Sequence, residues 1–155
     1  MTDHVDESVI RGLPVPEMAR AVLRQGVPRE VRLVGRLGPT VFSSGVEEGR
    51  LELDGDEVVL GAIRETEGVG EGTPYAEFRL RPDGAVVLAD LGPDERVHAV
   101  NTTLARFFTA LQVFLRWWNH RAGTVEELAR VLEEIDPGAL DDPEGFWAMW
   151  VEELG

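Results

Sequence analysis

Cysteine and lysine are both missing from this chain of 155 residues, and tyrosine occurs once. Without cysteine there are no disulfides and no thiolate-bound metal. Without lysine all 15 basic residues are arginine. Together with abundant Gly, Ala, Val and Leu, that usage points to a GC-rich bacterial genome. It also removes the P-loop lysine. The glycine-rich stretch Gly68-Val69-Gly70-Glu71-Gly72 therefore reads as a loop, and its acid would repel a phosphate. Long apolar runs are scarce too. The longest, within residues 104–118, is broken by Arg106, Gln112 and Arg116, so no membrane span is expected. The start, Met1-Thr2-Asp3-His4-Val5-Asp6, is acidic and lacks the apolar core of a signal peptide, which predicts a cytoplasmic protein.

Catalytic patterns are equally thin. His4, His98 and His120 lie far apart and form no zinc-ligand spacing. Ser43-Ser44-Gly45 lacks the flanking glycines of a nucleophile elbow. Asp54, Asp56 and Glu57 supply hard oxygen ligands, but not with the glycine and glutamate spacing of an EF-hand loop. No group of general acid, base and nucleophile emerges, so an enzyme is not expected. A small metal-dependent hydrolase using the acidic hairpin is the weakest alternative.

What the chain does have is acid. The formal net charge is −14, and it is unevenly placed. Residues 45–71 carry nine acids against Arg50 and Arg64, and residues 124–155 carry ten against Arg130. Residues 101–123 hold three arginines and no acid. Such a surface repels phosphate backbones, which argues against direct nucleic-acid binding, and it attracts basic partners. The plainer consequence of the same charge is solubility.

The chain length suits one domain with its own core, here 1–155. A helix is predicted over residues 16–25, with proline in its first turn and Gly26 as its stop. Strands follow at Val31–Val34 and Thr40–Phe42, separated by Gly38-Pro39. Leu51–Leu53 and Val58–Ile63 flank the turn Asp54-Gly55-Asp56, and Ala76–Leu80 and Val86–Ala89 flank Arg81-Pro82-Asp83-Gly84. Glu65 to Pro74 reads as a polar, glycine-rich loop. A β-like run, Val97–Val100, then meets a long apolar helix containing Leu104, Phe107, Phe108, Leu111, Phe114 and Trp118, with Asn101 as its expected N-cap and Val113 and Trp117 widening its face. Thr124 and Glu127 form a capping box ahead of Val125, Leu128, Leu132 and Ile135. Asp142 is expected to cap a final helix in which Trp147 and Trp150 share a face, suited to core packing or to a partner groove. The order predicts an α+β fold: a mainly antiparallel sheet covered by helices on one side.

Three segments of this pattern resemble one family. The early helix runs into Gly26-Val27-Pro28, the hairpin Phe78 to Asp90 turns at Gly84, and Val100-Asn101-Thr102-Thr103-Leu104 with Phe107 leads into the apolar helix. Together they resemble the SUKH (Smi1/Knr4-like) superfamily of bacterial immunity proteins, and its SUKH-4 branch most closely. Threonines at 102 and 103 stand where serines are usual, and the middle strands are more acidic than the family pattern. The resemblance implies a single α+β domain that protects its cell by binding a polymorphic toxin, often a nuclease or nucleic-acid deaminase, and blocking its active site. On the residue patterns above, no cofactor and no metal are expected. A general protein-interaction adaptor of the same fold is the alternative.

The expected partner is thus a cognate toxin with a basic active-site cleft, with no membrane or direct nucleic-acid role; the oligomeric state stays open. Candidate partner-binding residues are Glu47, Glu48, Asp54, Asp56, Glu65, Glu67 and Glu71, which lie in or beside turns, together with Tyr75 after the glycine-rich loop. Asp54 and Asp56 also suit simple turn formation, and Tyr75 the start of a strand. A second candidate group is Asp136, Asp141, Asp142 and Glu144.

Overall fold

The computed structural model describes residues 1–35, 38–65, 73–120 and 123–154; the side chains of 33–35, 38, 39 and 65 lie outside that description. Thr2–Asp3 (β1) opens the chain, followed by Glu7–Gly12 (α1) and Glu17–Leu23 (α2). Val27–Pro28 (β2) pairs antiparallel with β1. The main sheet comprises Glu30–Gly35 (β3), Gly38–Ser44 (β4), Leu53–Asp54 (β5), Glu57–Glu65 (β6), Pro74–Leu80 (β7), Val86–Asp90 (β8) and Val97–Asn101 (β9). Its order is β3-β4-β6-β7-β8-β9, with β5 paired to β6 and every pairing antiparallel. Leu104–His120 (α3), Val125–Ile135 (α4) and Phe146–Leu154 (α5) complete the chain.

Alternation along the strands makes two unlike faces. Phe42, Val58, Leu60, Ile63, Ala76, Phe78, Leu80, Val86, Leu88 and Val100 join one apolar cluster with buried residues from all five helices. At its centre Phe78 meets Phe107 at 4.7 Å, Phe146 at 5.2 Å and Phe42 at 5.6 Å between ring centroids. Val41, Val59, Val87 and Ala89 are buried outside this cluster and point to the opposite face, which no helix covers among the described residues. The α+β architecture with helices on one side is therefore what the sequence pattern predicts.

Three irregularities re-aim side chains. The β6–β7 register shifts between Val59 and Gly61 and again between Ile63 and Arg64, and the β8–β9 register shifts between Val86 and Val87. In the second, Ile63 pairs with Ala76 and Arg64 with Pro74, leaving Tyr75 unopposed in a bulge. At Gly61 a Cβ would stand 2.5 Å from the Phe42 ring and collide with the Ser43 carbonyl, so only glycine fits between these strands.

Several local expectations give way. Gly38 and Pro39 are not a turn: they belong to β4, opposite Gly35 and Val34. The strand at Leu51–Leu53 shrinks to Leu53–Asp54, which places Asp54 opposite Glu57 and leaves Gly55-Asp56 as the turn. Thr124 does cap α4, accepting from the Glu127 N–H at 3.2 Å. Asp142 does not cap α5, which begins four residues later. Its Oδ1 accepts from the Glu144 N–H at 2.9 Å, holding the preceding turn.

Asn101 is not the N-cap of α3 either. Thr103 takes that place, its Oγ1 accepting from the Arg106 N–H at 3.2 Å. Asn101 is instead buried at the end of β9, where its Oδ1 accepts from the Trp147 indole at 2.9 Å and its amide donates to Asp136 at 2.9 Å.

Asp136, expected among exposed binding residues, is 1% exposed. The backbone N–H and hydroxyl of Thr102 donate to it at 2.8 and 2.7 Å, and Arg106 pairs with it at 3.2 Å. Burial pushes its carboxyl up, but the Thr102 and Asn101 hydrogen bonds and the Arg106 charge outweigh that and hold it below the ordinary carboxylate range. This network ties β9, α3, α4 and α5 together.

Candidate functional site

The helix-free face of the sheet carries an open basin of about 1120 Å³. Its floor is strand: Ser43 from β4, Val59, Ala62 and Arg64 from β6, and Glu77 from β7. Its wall is the segment joining β4 to β5, which contributes Glu47, Glu48, Arg50 and Glu52. That wall is shaped by a tight turn. Glu47 and Arg50 exchange backbone hydrogen bonds of 2.9 Å each way, while Glu48 and Gly49 both have positive φ, 51° and 77°. This is the geometry of a two-residue hairpin turn with left-handed backbone at both central positions. Glycine suits position 49, because its φ of 77° is left-handed and a Cβ would also press on the Asp6 carboxylate. The Asp6 N–H donates to the Gly49 carbonyl at 2.9 Å and fixes the wall to the start of α1.

Electrostatically the face divides in two. Toward β5 the charges neutralise one another: Arg79 pairs with Asp54 at 2.9 Å, Glu77 at 3.0 Å and Glu57 at 3.4 Å, and Arg81 adds a 3.1 Å pair with Glu57. Burial alone would weaken the hold of Arg79 on its proton, but Glu77, Asp54 and Glu57 outweigh it and raise its pKa. Within the basin Arg64 donates to the Ser43 hydroxyl at 2.6 Å. Around the wall Glu47, Glu48 and Glu52 are exposed and make no ion pair among the described residues.

The candidate residues thus separate. Glu47 and Glu48 meet on the basin wall. Asp54 is spent on Arg79, and Asp56 is exposed at the β5–β6 turn. Tyr75 is 41% exposed and lines other cavities, away from the basin. Glu67 and Glu71 lie outside the described residues; Glu65 ends β6, its side chain outside the description. Of the second group, Asp141, Asp142 and Glu144 are exposed on the turns before α5. Arg64, Glu77 and Glu52 also line the basin, and strand alternation was the signal that places the first two on its floor. Among the described residues no cluster of His, Cys, Asp and Glu has the arrangement to hold a metal ion, and no helix is long and apolar enough to cross a membrane.

A family model for the SUKH-4 immunity protein matches residues 3–153. The chain belongs to the SUKH-4 immunity protein family. No curated protein and no solved structure matches it. As a SUKH-4 immunity protein its work is to bind a cognate toxin, a task of recognition, and an open face of strands with a charged wall suits recognition. The Val100-Asn101-Thr102-Thr103-Leu104 segment that carried the resemblance belongs to the internal scaffold of this SUKH-4 protein, through Asn101 and Thr102, and not to the basin.

Proposed function

We propose that this immunity protein neutralises a toxin acting on nucleic acid, a nuclease or a deaminase, by laying its helix-free acidic face over the toxin's basic active-site cleft. The observation that carries this reading is the basin wall, where Glu47, Glu48 and Glu52 outnumber Arg50, stand exposed and make no ion pair among the described residues. Carboxylates held this way take the positions that phosphates of a substrate would take in such a cleft. In a chain of net charge −14 they also steer encounter, raising the association rate more than the final affinity. Asp56 extends the same charge at the β5–β6 turn, and the adjoining Glu65, Glu67 and Glu71 add to it in sequence. The chain itself acts as a cytoplasmic, cofactor-free binding domain in this reading.

The test is association kinetics between the full chain and a cognate toxin domain, sought among the products of genes adjacent to its own. Rates should fall steeply as salt rises from about 0.05 to about 0.5 M, because the screening length shortens several-fold over that range. Charge reversal at Glu47→Arg, Glu48→Arg and Glu52→Arg together should slow association at least about tenfold at low salt. A tight complex whose association ignores both salt and these reversals would overturn the acidic-face mechanism.

A further inference from the structure

A second cavity, of about 510 Å³, lies on the helix-covered side of the sheet, where the start of β7 and the end of β8 meet α5. Its floor is apolar: Ile63, Leu88 and Phe146 are buried, and Trp150 stacks on Phe146 with centroids 5.7 Å apart and planes inclined by 29°. At its mouth are Tyr75 and Met149, 41% and 38% exposed. Its remaining charged lining is acidic apart from His98, which bridges the Asp90 carboxylate at 3.3 Å and the Glu144 carbonyl at 2.8 Å; the other two carboxylates are Glu152 and Glu153 on α5. Those two make no ion pair among the described residues.

An apolar, partly aromatic floor under a carboxylate rim selects a particular kind of side chain. It must bury a long apolar stem and end in a cation. Arginine fits better than lysine, since its planar guanidinium stacks on aromatic rings and bonds carboxylates in pairs. We infer that this notch receives an arginine presented by the bound toxin, as a second anchor separate from the basin. The cavity is larger than one side chain, so it also admits part of the residue's flanking segment. The inference rests on the toxin-binding reading for the source of the arginine, but the notch's preference for a guanidinium on an apolar stem stands on its own geometry. The Tyr75 bulge is what makes two sites: Pro74 lines the basin and Tyr75 the notch, though they are consecutive.

The test uses n-propylguanidinium and n-butanol as probes of the full chain, followed by the Trp150 indole N–H resonance, assigned with Trp150→Phe. That N–H is buried with no hydrogen-bond acceptor among the described residues, which makes it a sensitive reporter. The guanidinium should shift it in a saturable way, n-butanol should shift it at least about tenfold more weakly, and Glu152→Gln with Glu153→Gln should abolish the difference. Equal responses to the two probes, or none to the guanidinium, overturn the notch. With the toxin domain, the same double variant should speed dissociation about tenfold while the basin reversals act on association. Toxin binding that the double variant leaves untouched also overturns the arginine anchor and spares the acidic-face mechanism. Absence of any toxin complex removes that mechanism and the toxin as the arginine's source, while the guanidinium titration still decides the notch.

Discussion

The two faces of the sheet are built from the same strands and answer to opposite rules. On the covered face four phenylalanines from β4, β7, α3 and α5 interlock, Phe78 and Phe107 tilted at 41° and the other contacts edge to face, and a change of one methylene is felt throughout. On the open face a row of Val and Ala is bordered by arginines and glutamates that neutralise one another toward β5 and leave carboxylates unpaired along the basin wall. Burial fixes the first face and leaves the second free to vary in charge. A protein that must recognise one partner among many related ones gains from that separation, because its binding residues can change without disturbing its core.

Substitutions on the covered face should have the largest effects. Phe78→Ala removes a ring that is fully buried against three others, and should cost about 3–5 kcal/mol in urea unfolding. Next is Asp136→Asn, which leaves donors from Asn101, Thr102 and Arg106 facing an amide and should cost about 2–4 kcal/mol. Its pH signature is distinctive. Because the folded state holds this carboxyl below its ordinary value, the stability it lends is complete above roughly pH 4 and lost as the pH falls further. Thermal melts from neutral pH downward should therefore show a shallower acid limb for the variant than for the parent chain. Gly61→Ala forces β4 and the Phe42 ring apart and should cost about 1–3 kcal/mol by the same measurement. At the other extreme, neutralising Glu47, Glu48 and Glu52 to glutamine should move stability by no more than about 0.5 kcal/mol each. A large loss there would show the open face to be part of the scaffold, and would end the contrast.

The covered face was legible in the sequence because periodicity reports burial directly. The apolar spacing of α3 and α4, the Gly84 hairpin and the alternation in β7 and β8 each specify an element and its inward side. The six residues of α1 were not legible, since one buried residue, Ile10, makes no period. Polar residues were misjudged where a tertiary partner took them. Asn101 and Asp136 carry ordinary cap and surface signals, and only the meeting of segments 35 residues apart turns them into a buried pair. The candidate site was legible as composition and not as geometry. Turn signals put Glu47 and Glu48 on the surface, but Asp54 went to Arg79, and the bulge that sends Tyr75 to the other side leaves no trace in a one-dimensional pattern.

The bond between Asn101 and Trp147 joins residues 46 positions apart, and it has a consequence for synthesis. While β9 is leaving the ribosome, Phe107 and Phe146, which will pack on Phe78, and Trp147, which will satisfy Asn101, have not been made. The sheet waits with one flank wet until Phe146 and Trp147 arrive. A nascent chain stalled before them would hold its strands loosely and offer bare aromatic surface to chaperones and proteases. The covered face is thus complete only once translation has passed α5.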